Sequence, residues 1–241
     1  MLPEASSPPA EPDSAIDDEL GGSDLGRIIA LSDGIFAFAM TLLALSLTVP
    51  VFRNAQGVPL DPGSISSGQL AHALLGEAPA FLTYAFGFFI IAYWWEVHHR
   101  LFAHVRRWDR RVLTFNLGFL LMIAITPFLV SLYAQYGSDQ VALVLYAGAQ
   151  GLGGVVLAGL WQHATADHRL TAPDLPASLV ARYRGRLLAS SGIFGASILV
   201  SFASVPAAQF VWLLVFLLSW ISMRRLRRSR GPSRRSPVSG P

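Results

Sequence analysis

Six runs of 18 to 22 largely apolar residues dominate this chain: Ile28–Val49, Pro79–Val97, Val112–Tyr133, Val141–Trp161, Leu187–Val205 and Pro206–Met223. A helix needs about 20 such residues to cross roughly 30 Å of hydrocarbon. In lipid every backbone polar group must be satisfied within the segment, which leaves the helix as the natural solution. The chain therefore reads as all-α, a polytopic membrane protein with six transmembrane helices. Only Ser204-Val205-Pro206 separates the fifth and sixth runs. Proline suits the first turn of a helix, and the 37 residues together are too long for one crossing.

Composition narrows the function classes. Charged residues make up 14% of the chain, against about 25% in soluble domains, and the mean hydropathy is +0.48. Cysteine is absent, which excludes disulfides, thiolate metal sites and thiol nucleophiles. All 18 basic residues are arginine, which excludes Schiff-base and P-loop lysine chemistry. The net charge of +3 does not point to nucleic acid, because the charge is segregated. Residues 1–24 carry seven acids and no base, whereas 224–241 carry seven arginines and no acid. These segments read as disordered tails flanking a membrane domain over 25–223. The basic tail suits a topology-fixing flank or contact with anionic lipid headgroups. Seventeen arginines fall on one side of the six-span arrangement and only Arg53 on the other. Arginine excess marks the cytoplasmic side, so both termini are expected there. The first apolar run starts late and is of full span length, unlike a signal peptide.

Ionisable groups inside a span cost roughly 2.5–3.5 kcal/mol on insertion scales. Asp33 lies about a turn and a half inside the first run. At 100° per residue, Ser32 and Asp33 point away from Phe38, Leu42 and Leu45. One face is thus polar, and the other is an apolar stripe of Phe38, Leu42, Leu45 and Val49 flanked by Thr41. Partners at the depth of Asp33 are His98 or His99 at the end of the second run and Asn116 in the third. Such a cluster reads as a structural clamp, with a proton relay as the competing reading. A metal site fits poorly, because Glu96, His98 and His99 lack the i, i+4 pair that puts two ligands on one helix face. Ala147, Gly148, Gly151, Gly153 and Gly154 suggest close helix packing. Pro127 suggests a kink. Trp161 and Trp220 suit an interfacial belt. His72 and Glu77 read as solvent-facing.

The segment Arg27-xxx-Leu31-Ser32-Asp33-Gly34, followed by Ile35-Phe36-Ala37-Phe38-Ala39-Met40-Thr41-Leu42-Leu43, resembles the first-helix signature of the TMEM175 potassium channel family, Arg-x-x-x-Phe-Ser-Asp-Gly/Ala. Trp94-Trp95…His98-His99-Arg100-Leu101-Phe102 and Asp109…Asn116-Leu117-Gly118-Phe119-Leu120…Pro127-Phe128 resemble it further. The motifs cover about residues 27–135; beyond them only the span count matches. Leu31 stands for the motif Phe, and Phe38 stands where an aliphatic residue is usual.

The resemblance implies a potassium-permeable leak channel, not an enzyme. It would be a homotetramer whose first helix lines the pore, without a Thr-Val-Gly-Tyr-Gly filter. Carried over by position, the constriction comprises Phe38, Leu42 and Leu45, with Thr41 nearby. Arg27, Ser32, Asp33, Asn116 and His98 or His99 would form the polar network behind it, although on an ideal wheel Arg27 falls on the Phe38 side. No cofactor or metal is expected beyond permeant K⁺, and the partners expected are further copies of the chain and the lipid bilayer. A single six-helix unit points to a bacterial plasma membrane. A proton-coupled small-solute carrier and a non-transporting membrane scaffold are the competing classes.

Overall fold

The structure is a computed structural model and describes residues 12–215 and residue 217. It is helical: α1 (Pro12–Leu42), α2 (Ser67–Gly76), α3 (Ala78–Phe102), α4 (Arg110–Tyr136), α5 (Gln140–Thr165), α6 (Ala177–Ser201) and α7 (Val205–Val211). Among the described residues, β-pairing is limited to two isolated bridges, Arg53 with Pro59 and Val105 with Thr171.

Among the described residues, four segments are long and apolar enough to cross a membrane: Asp24–Ser46, Ala78–Phe102, Arg110–Tyr136 and Gln140–His168. They correspond to the first four expected spans, the first of them ending at Ser46 rather than Val49. The fifth expectation needs correction. Helix α6 begins at Ala177, ten residues before the apolar run, so Arg182, Arg184 and Arg186 are helical rather than loop. Its inner face carries Arg186, Ser190, Ser191, Ser197 and Ser201, all buried, while Leu199 and Phe202 are exposed. Arg182, Arg184 and Arg186 in its N-terminal half lower the mean hydropathy of the helix. The expected break before Pro206 is present, with Ser204 accepting from the Ala207 N–H as N-cap of α7. The later part of the sixth run, including Trp220, lies outside the described residues, as does the 224–241 tail.

The N-terminal expectation also changes. Helix α1 starts at Pro12, so the acidic tail is helical over 12–24 and only 1–11 lie outside the description. Proline fits a helix start. Acids favour the first turns through the helix dipole, and extending a helix already nucleated by a span costs little. At its other end α1 tightens into a 3₁₀ turn, Leu43–Ser46, and turns extended at Leu47.

Local signals set the remaining boundaries. Ser66 and Gln69 form a capping box on α2. Asp109 accepts from the Val112 N–H and caps α4; Asp139 accepts from the Val141 N–H and caps α5. Helix α4 runs on through Pro127.

Helix α5 packs against α4 and α6, and α1 packs against α3 and α4. The small face of α5 permits this approach. A Cβ on Gly154 would collide with Ser191 Oγ and the Trp94 ring, and one on Gly153 would press on Met122 at 3.4 Å. Trp161 is not an interfacial belt residue. It is fully buried, donates from Nε1 to the Val180 carbonyl at 3.1 Å and meets Tyr183 edge-on.

Candidate functional site

Helix α3 ties the bundle together through nearly consecutive side chains. Successive residues on a helix point 100° apart, so residues 93–98 reach four different helices. The Tyr93 hydroxyl bonds Ser190 of α6. The Trp94 indole N–H donates to Gln150 of α5 at 2.9 Å, and Gln150 donates on to Thr126 of α4 at 3.1 Å. The Trp95 indole N–H donates to Asp33 of α1 at 2.9 Å. Glu96 pairs with Arg100 at 2.6 Å and lies 3.8 Å from buried Arg186 of α6. His98 reaches α4.

Ser32, Asn116 and His98 form one buried chain. Asn116 Nδ2 donates to Ser32 Oγ at 3.0 Å, and Ser32 Oγ donates to the Ile28 carbonyl at 2.8 Å. Asn116 Oδ1 lies 2.9 Å from His98 Nε2. An amide oxygen can only accept, so His98 carries its proton on Nε2. The imidazole lies parallel to Phe119 (8°, centroids 5.7 Å apart) and stacks on Phe102 at 4.3 Å. All three polar residues are buried, so each would carry a desolvation cost without the others.

Other members of the expected network sit elsewhere. Asp33 meets Trp95 rather than either histidine. His99 is exposed and stacks on Trp95 at 5.5 Å. Arg27 is exposed and pairs with Asp24 at 3.8 Å. Helical phase explains all three. His99 is rotated 100° from His98, and Arg27 falls on the outward stripe.

That stripe is continuous. Arg27, Leu31, Gly34, Phe38, Thr41, Leu45 and Val49 are exposed, whereas Ile28, Ser32, Phe36, Ala39 and Leu43 are buried. Phe38 is 65% exposed and Leu45 77%, while Leu42 is half-buried at the edge of the stripe. Thr41 Oγ1 donates to the Phe38 carbonyl at 2.8 Å, leaving no free donor on its hydroxyl. No group of three or more metal-ligating side chains occurs among the described residues.

The family model described as "Endosomal/lysosomal potassium channel TMEM175" matches residues 27–127, which contain α1 from Arg27 onward, α2, α3 and most of α4. A potassium channel of Streptomyces collinus is 32% identical over 191 residues, covering 77% of this chain and 85% of the relative. This chain belongs to the TMEM175 family. A second relative, a potassium channel of Chamaesiphon minutus, is 33% identical over 186 residues, covering 76% of this chain and 87% of that protein. A crystal structure described as that of a lysosomal potassium-selective TMEM175 homolog from Chamaesiphon minutus superposes with a TM-score of 0.67 at 29% identity. It covers 83% of this chain and 98% of the other.

The TMEM175-like core is anchored at one end by Asp109. His163 Nε2 lies 2.7 Å and Arg169 3.5 Å from its carboxylate. Partial burial alone would raise the Asp109 pKa. Accepting from the Val112 N–H and from His163 outweighs that and holds it below the usual carboxylate range. The α3 hub escaped sequence reading except for its motif residues. Tyr93 and Gln150 carry no short-range signal, and only their meeting with partners across helices makes them part of a network.

Proposed function

We propose that this chain is one subunit of a potassium-permeable leak channel in the plasma membrane. In this reading four copies surround a pore lined by α1, each subunit contributes six transmembrane helices, and both termini are cytoplasmic. The observation that carries it is the outward stripe of α1: an apolar ladder on the face opposite the Ser32–Asn116–His98 chain. That the bacterial relatives are potassium channels supports potassium as the ion.

Phe38 and Leu45 stand two turns apart, about 10 Å along the axis at 1.5 Å per residue. Facing copies would form two successive apolar rings, with Leu42 at their flank and Thr41 supplying a carbonyl-tethered hydroxyl between them. The sequence contains no Thr-Val-Gly-Tyr-Gly loop. Without a carbonyl cage, selectivity must come from partial dehydration at the rings. K⁺ gives up water more readily than Na⁺, and a tight apolar ring can also close the pore by dewetting. Four Phe38 faces would add cation–π attraction for a partly dehydrated ion. No resident cofactor enters this mechanism. The basic 224–241 segment is proposed to lie against anionic headgroups.

The test is ion flux through the purified chain in liposomes under a K⁺ gradient, repeated with Na⁺. K⁺-favouring flux whose selectivity changes in Phe38→Ala is expected. Flux that saturates and requires a proton gradient would indicate a carrier. Absence of flux in the wild type and in both Phe38→Ala and Leu42→Ala would indicate a scaffold.

A further inference from the structure

The two connections at the arginine-rich end of the bundle, 103–109 between α3 and α4 and 166–176 between α5 and α6, are clasped together. Val105 pairs with Thr171 in a β-bridge. The Arg106 and Arg107 N–H groups both donate to the Leu170 carbonyl, at 2.8 and 3.3 Å. Between them lies a cavity of about 400 Å³ lined by Arg106, Arg107, His168, Arg169 and Thr171. Asp167 and Asp174 belong to the same connection but do not line it.

Three further observations separate this cavity from an ordinary solvated basic surface. Thr171 is 94% buried, being 6% exposed, and its hydroxyl has no hydrogen-bond partner. A buried polar group left unpaired is costly, and such exceptions call for an explanation such as a missing ligand or ion. Asp167 and His168 are the only non-glycine residues with positive φ among the described residues, at 52° and 53°. Two consecutive left-handed non-glycine residues are disfavoured and persist only where the surroundings hold them. Here that turn places His168 in the cavity lining. Arg169 is held in place by Asp109, whose carboxylate lies 3.5 Å away.

We propose that this cavity binds a phosphate-bearing anion, either a soluble phosphate or the headgroup of an anionic phospholipid. Guanidinium groups bind phosphate oxygens through paired charge-assisted hydrogen bonds, and three arginines line this cavity. The Thr171 hydroxyl would donate to an oxygen seated on the cavity floor. The volume is many times that of one water molecule and accommodates a phosphate with its substituent. None of the α1 stripe residues lines the site, and it does not depend on the pore assignment. Because it joins the α3–α4 and α5–α6 connections, the bound anion would brace the end of the bundle from which Asp109 starts α4.

The experiment uses the full chain in neutral phosphatidylcholine nanodiscs. One arm titrates pyrophosphate by calorimetry. The other measures retention of phosphatidic acid by native mass spectrometry after exchange from mixed micelles. Saturable binding is expected in at least one arm, and the arm that responds identifies the source of the phosphate. Arg106→Gln/Arg107→Gln should weaken it at least about tenfold. Thr171→Val, which removes no charge and nearly conserves volume, should weaken it severalfold. Melting temperatures without anion establish that both variants are folded; Thr171→Val also carries the test if the double variant unfolds. Weakening in a folded variant supports the site. No binding in either arm overturns it, as does wild-type affinity in every folded variant, which would assign any binding to the basic C-terminal segment.

Discussion

The two faces of α1 follow opposite rules within a single helix. The face turned into the bundle holds Ser32 and, at its margin, Asp33, each matched to a polar partner from α4 or α3. The face turned away holds Leu31, Phe38 and, in the 3₁₀ turn that follows, Leu45, large apolar groups left exposed by the chain's own fold. In water this arrangement would be inside out. In a membrane it follows from the solvent, because lipid tails gain nothing from excluding leucine, whereas an unpaired amide in hydrocarbon is costly. Helix α6 repeats the pattern, with serines and Arg186 inward and Leu199 and Phe202 outward. The inner face therefore fixes the helix, and the outer face is free to meet an ion path or another copy.

If the inner face is the structural one, breaking it should cost stability and leave the outer stripe chemically intact. Asn116→Leu strands the His98 Nε2–H and removes the donor to Ser32, whose hydroxyl keeps only the Ile28 carbonyl. It should destabilise the chain by about 1–3 kcal/mol, the cost of one buried group left unsatisfied, measured by denaturant unfolding in micelles. Gly154→Ala forces a methyl onto Trp94 and Ser191; overpacking of this kind costs about 1–3 kcal/mol. Trp95→Phe removes only the tie to Asp33 and keeps the ring beside His99. About 0.6 kcal/mol is expected, typical of one interhelical bond in a membrane. Phe38→Ala marks the other extreme. It should change subunit stability by less than about 0.5 kcal/mol, as exposed substitutions do, yet alter ion flux or selectivity. A stability loss as large as that of Asn116→Leu would erase the distinction between the faces.

A smaller effect probes the end of the bundle. The folded pKa of Asp109 is depressed, so its contribution is present above the unfolded carboxylate value of about 3.9. It is lost as pH falls through the still lower folded value. Stability should therefore drop on acidification below about pH 4, and Asp109→Asn should flatten that limb in a pH series of thermal melts. His104 adds a second sign test. Burial, and then Arg106, lower its pKa. The unfolded chain thus takes up its proton first, and stability should fall slightly as pH drops below about 6.5, an effect that His104→Gln removes.

The apolar runs alone determine four of the membrane helices, because crossing about 30 Å of hydrocarbon needs a fixed length of apolar helix whatever its neighbours are. The residue motifs from Arg27 to Phe128 sufficed to mark the family, and the phase of α1 separated Ser32 from Phe38 before any neighbour was known. The tertiary structure decided what phase and length cannot. It assigned His98 rather than His99 to Asn116, gave Asp33 to a tryptophan, and buried Trp161. It also carried α6 back over three arginines that read as loop. A sequence states which groups need partners. The partner itself depends on which helices lie side by side and at what rotation, and both are settled only when the whole bundle packs.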